Sequence, residues 1–163
     1  APNNNKMIRK KPKTKIINIK KIDPKRYEHN NDTYFKAFGL IIVAFMSALN
    51  MVILTKTKYP GVAIDKLLLP LLGLLFAVMG FYFPKLSQNY FAGFKLPWTL
   101  SSEENWIATH LYASKFWIYG GIAQMILGFV LPGMWSFISF FVLMIPMVVA
   151  PIIFSYRMFK AGN

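Results

Sequence analysis

Cysteine is absent from the chain, which excludes disulfides and thiolate metal sites without identifying a compartment. Acidic residues are scarce as well: six Asp and Glu face nineteen Lys and Arg, for a net charge of +13. Charge of either sign is missing altogether from Phe38–Leu54, Leu67–Phe83, Phe116–Leu131 and Trp135–Tyr156. A soluble helical domain carries a polar outer face along each helix, so these stretches argue against that class. Proton-coupled transporters and intramembrane proteases need ionisable groups inside their spans despite the cost of placing them in hydrocarbon. No HExxH sequence, Ser/Lys dyad or pair of membrane aspartates occurs, so no catalytic residue, cofactor or metal site is expected.

Apolar runs of about twenty residues are abundant, the length needed to cross the hydrocarbon core. The expected fold is all-α: a polytopic bundle of four transmembrane helices at about 34–55, 65–83, 113–131 and 135–156. A polar loop or short amphipathic helix is expected between the second and third. Residues 1–33 read as a basic, Asn-rich segment without helical periodicity, and residues 34–160 as the membrane domain. The chain opens at Ala1 rather than Met, as a processed or shortened chain does, and no signal-peptide core precedes the first span.

Pro60-Gly61 and Pro132-Gly133 mark turns, the second closing an antiparallel helix pair. Gly73 and Gly80 lie seven apart on one helix face, where small residues allow close packing. Gln124 is the clearest polar residue within a span and is expected to make an interhelical hydrogen bond. Pro146 and Pro151 should bend the last helix.

The positive charge is concentrated between Lys6 and Lys36. Without interleaved aromatics it does not read as a nucleic-acid surface. A basic tail entering an apolar helix is a topology signal that also attracts anionic lipid. In a four-span arrangement the tail, the 84–112 loop and the C-terminal end share one side and collect most of the Lys and Arg. The positive-inside rule puts both termini in the cytoplasm of a plasma-membrane protein.

The informative segment is Gly93-Phe94-Lys95-Leu96-Pro97-Trp98-Thr99-Leu100-Ser101-Ser102-Glu103-Glu104-Asn105-Trp106. Ser101 and Glu104 have the capping-box spacing of a helix start, with both acids in the favourable first turn. Trp106, His110 and Ser114 then recur every four residues on one side. Trp98, Trp106 and Trp117 suit the headgroup region. Glu103 and His110, seven apart, would offer a metal only two ligands, short of a site.

This block, with Thr109-His110 and Ala113-Ser114-Lys115 after it, resembles the signature of the SdpI family, named for an immunity protein against a secreted toxin. The resemblance covers about residues 20–131, and the fourth span matches in character only. Longer members carry two earlier spans with an extracytoplasmic region. The chain therefore looks like their C-terminal membrane half, or a short member with a basic tail. The resemblance implies a bacterial plasma-membrane protein that protects its producer from a membrane-active peptide toxin, with a cytoplasmic repressor as a further partner. It implies partner binding through Pro97, Trp98, Thr99, Ser101, Glu103, Glu104, Trp106 and His110. The residues themselves leave two other readings open: a small transporter or exporter lined by Gln124 and kinked helices, and a structural subunit of a membrane complex.

Overall fold

The computed structural model describes residues 24–162, and among them every regular element is helical. Five α-helices follow in order: α1 Pro24–Lys58, α2 Asp65–Tyr82, α3 Pro97–Leu100, α4 Glu103–Val130 and α5 Gly133–Gly162. A 3-10 turn, Phe83–Lys85, closes α2 at Pro84. Residues 1–23, with most of the basic tail, lie outside the described residues. Helix α1 begins ten residues ahead of the expected Tyr34, so the end of the segment read as non-helical is helical. Its first residue is Pro24, whose fixed φ and missing N–H suit a helix's first position.

Among the described residues, three helices are long and apolar enough to cross a membrane: Lys36–Lys58, Asp65–Lys85 and Gly133–Gly162. The expected third span lies instead on α4, which is not among them. Its 113–131 stretch is diluted by Lys115, Tyr119, Gln124 and glycines 120, 121 and 128. The location of α4 explains that composition. It packs between α2 and α5, burying Gly121, Gln124 and Gly128, so its inner face meets helices rather than lipid.

Helices α2 and α4 run antiparallel in backbone contact. A Cβ on Gly73 would lie 2.7 Å from Gly121 O, and one on Gly121 would lie 2.4 Å from Ala77 N. About two turns toward either end, Gly80 meets Ile118 and Ser114, and Gly128 meets Pro70. Without side chains in the seam the two backbones gain dispersion contact that bulkier residues would prevent. Helix α5 runs antiparallel to α4, joined through Leu131-Pro132. Pro151 removes a donor from α5, and the Met147 carbonyl four residues earlier accepts the Trp117 indole N–H at 2.9 Å instead.

Gln124 is fully buried, and its Oε1 lies 3.2 Å from the Ser139 hydroxyl of α5, the expected interhelical contact. Its Nε2 and the Ser136 hydroxyl have no hydrogen-bond partner among the described residues. At the opposite end from the α2–α4 loop, the Lys66 ammonium donates to Phe129 O at 2.8 Å and to Leu131 O. It thereby neutralises carbonyls that the end of α4 leaves open. Helix α1 is different. Nothing in its apolar stretch is buried, and its attachment is light: Phe38 touches the loop core, and Lys85 lies 5.5 Å over the Tyr34 ring.

Candidate functional site

The antiparallel order brings the end of α2, the loop after it, α3, the start of α4 and the end of α5 to one end of the bundle. The loop is built from its own side chains. Asn89 Oδ1 accepts from Phe91 N and Ala92 N, both at 2.8 Å, and its Nδ2 donates to Ser87 O. Gly93 follows with φ +107°, a region open to glycine. A side chain there would also strike His110, whose Nε2 would lie 2.2 Å from the added Cβ.

Thr99, fully buried, ties the loop to α3. Its hydroxyl lies 2.6 Å from Phe94 O and accepts from Leu96 N at 2.9 Å. Gln88 Nε2 donates to Thr99 O and Leu100 O at 2.8 and 2.7 Å, satisfying carbonyls that a one-turn helix leaves open. Underneath, Phe83, Leu86, Ala92 and Ala113 form an apolar core bordered by Phe38, Met79, Phe94 and Trp117.

The helix start differs from the expected capping box. Ser102, not Ser101, is the N-cap of α4, its hydroxyl accepting from Asn105 N at 3.2 Å. Ser101 is consumed in ending α3: its N–H bonds Pro97 O, and its hydroxyl donates to Trp98 O at 3.2 Å. The four-residue turn at Pro97 therefore moves the α4 start along by one. The third helical position becomes Asn105, and Glu104 has no box to complete. Glu103 and Glu104 remain exposed in the first turn.

Trp106 is not a headgroup anchor. It is wholly buried, donates through Nε1 to Leu86 O at 2.9 Å and stacks on His110 at 4.1 Å. His110 is equally enclosed. Its Nδ1 lies 2.8 Å from Trp106 O and its Nε2 accepts from Phe94 N at 3.0 Å. Only the neutral Nδ1–H tautomer satisfies both bonds. Burial pushes its pKa down to about 4, against a smaller opposing effect of the Trp106 carbonyl. Glu103 and His110 thus form no pair: one faces outward and the other has both nitrogens engaged.

Trp98 stands apart. It is half-buried, donates to Ser155 Oγ at 2.8 Å and packs on Tyr156 and Phe159 of α5. Buried Asn105, which sequence reasoning passed over, makes the parallel tie. Its Nδ2 donates to Ser155 O at 3.0 Å and its Oδ1 accepts from Thr109 at 3.0 Å. An Asn two residues beyond Glu103, at the start of the expected helix, was the available signal.

The eight sequence-predicted residues therefore divide. Thr99, Trp106 and His110 are internal struts, and Ser101 is a helix stop. Pro97, Glu103, Glu104 and part of Trp98 face outward, alongside exposed Tyr90 and Phe91 of the loop.

These features define an all-helical membrane protein whose α2–α4 loop is a hydrogen-bonded cap clamped to the end of its last helix. Residues 85–155, from the end of α2 into the last turns of α5, match the model of the SdpI/YfhL protein family. No curated protein and no solved structure gives a significant match.

Proposed function

We propose that the chain is a bacterial plasma-membrane immunity protein, a binder without turnover that protects its producer from a secreted membrane-active peptide. The observation that carries this reading is the match of residues 85–155 to a family named for toxin immunity. The cap geometry is compatible with it: a rigid interior supports an outward face of Tyr90, Phe91, Pro97, Trp98, Glu103 and Glu104. In this reading α4 is the fourth membrane crossing. It is shielded by α2 and α5, the tail and C-terminus lie in the cytoplasm, and the cap is the face a cytoplasmic repressor would meet.

The test is survival of a toxin-sensitive host expressing the chain, normalised to the amount of protein in the membrane. Protection lost on changing Glu103 and Glu104 together to Ala, at unchanged membrane level, supports a binding role for the cap. Absence of protection by the unaltered chain overturns the immunity reading. Substrate-dependent flux in liposomes would favour a transporter, for which the unpartnered Gln124 Nε2 is the best foothold.

A further inference from the structure

The end of α5 and Trp98 enclose a feature that the cap does not use. An open groove of ≈ 720 Å³ is lined by Trp98, Ile152, Ile153, Tyr156, Arg157 and Lys160, among others. From this groove we infer a binding site for one anionic glycerophospholipid, its phosphate held between Arg157 and Lys160 and one acyl chain laid along α5.

The order of residues along the helix is the first argument. Val142, Ile145, Val149 and Ile153 recur at three- and four-residue intervals on one face, and all four are exposed. The same face continues through Tyr156 to Arg157 and Lys160. Apolar, then aromatic, then cationic is the order in which a phospholipid passes from acyl chain through the interface to phosphate. Eleven residues from Val142 to Ile153 rise about 16 Å at the α-helical pitch. That is close to the roughly 15 Å depth of one leaflet. An acyl chain ending near Val142 therefore leaves its headgroup level with the two cations.

Charge is the second argument. Among the described residues neither Arg157 nor Lys160 has a hydrogen-bond or ion-pair partner, and they sit three residues apart at the end of a helix. Two unpaired cations in a groove with an apolar floor are complementary to an anion that carries its own hydrocarbon. Basic pockets at helix ends hold anionic headgroups in this way. Trp98 supplies the third argument. Its N–H is already given to Ser155 and its ring is stacked on Phe159 at 6.1 Å. It is thus a fixed apolar wall, and closing the groove on a chain costs no ordering of that side chain. The inference does not depend on toxin immunity.

The experiment uses the full chain in mild detergent. Native mass spectrometry is run with palmitoyl-oleoyl phosphatidylglycerol and the corresponding phosphatidylcholine in equal amounts. One phosphatidylglycerol should be retained in preference to phosphatidylcholine. Arg157→Gln with Lys160→Gln should weaken that retention about tenfold, since each cation near a lipid phosphate contributes appreciably. Lys36→Gln with Lys115→Gln, exposed lysines removed from the groove, should leave it unchanged. Melting in phosphatidylcholine should match wild type for both double variants, showing that each is folded. Phosphatidylglycerol should then raise the melting temperature of wild type but not of the groove variant. Equal weakening in the two double variants would mean diffuse charge attraction and overturn the site. Unchanged retention in the groove variant would overturn it too, as would displacement of the lipid by excess inorganic phosphate, which shares the anion but lacks the chain.

Discussion

His110 shows how one enclosed side chain sets a condition on the whole cap. Its neutral form is required by the two hydrogen bonds on its ring, and burial holds its pKa near 4 against the ordinary 6.5. The unfolded chain therefore binds a proton that the folded chain refuses. The associated stability is fully present above about pH 6.5 and is lost progressively as pH falls toward 4, by about 3 kcal/mol in all. Melting temperature measured across that window should fall with pH in wild type. It should fall less steeply in His110→Gln, which has no proton to take up. A second residue-scale outcome separates the two serines. Ser102→Ala removes the cap of α4 and should cost about 0.5–2 kcal/mol, read as faster amide exchange at Glu104–Trp106. Ser101→Ala loses only an exposed bond to Trp98 O and should leave those amides near wild type. The reverse ranking would restore the capping box that the spacing suggests.

At the scale of helices, contact distance rather than hydrophobicity decides where bulk is tolerated. Gly121→Leu drives a side chain into the Ala77 backbone, where even a Cβ has 2.4 Å. It should lower membrane yield and melting temperature together, by at least the 1–3 kcal/mol typical of overpacking. Gly39→Ala, with nothing within 4 Å of the new Cβ, should be neutral or slightly stabilising through helix propensity. Thermal melts of the two proteins in one detergent check the contrast. Trp117 and Pro151 form another unit. Trp117→Phe leaves the Met147 carbonyl without its donor and should cost about 1–3 kcal/mol. Pro151→Ala supplies an N–H four residues along, so the cost of Trp117→Phe should shrink in that background. A double-mutant cycle on melting free energy reads the coupling directly.

For the whole molecule, the shared location of the cap and the end of α5 turns topology into a labelling experiment. The absence of native cysteine makes single introduced cysteines clean reporters. Lys95 and Thr57 are exposed at opposite ends of the bundle. Ser87, an obvious choice from its place in the loop, is buried. With the cap cytoplasmic, an impermeant thiol reagent on intact cells should label Thr57→Cys and spare Lys95→Cys and Gly162→Cys. Labelling at 95 with protection at 57 would invert the orientation. Composition alone marked the chain as helical and suited to a membrane, because uncharged runs of about twenty residues have the length that crosses the hydrocarbon core. The spacing of Gly73 and Gly80 also announced a close helix seam, and the Gly93–Trp106 block pointed to the family whose model matches residues 85–155. Other decisions needed the tertiary structure. A one-turn helix at Pro97 shifted the cap from Ser101 to Ser102. The loop folding back over α4 turned Trp106 and His110 from candidate contacts into buried struts. Packing on both sides explained why α4 is less apolar than α2 and α5, the helices it lies between. Each depends on which surface a residue meets, and periodicity fixes a residue's face without naming what lies against it.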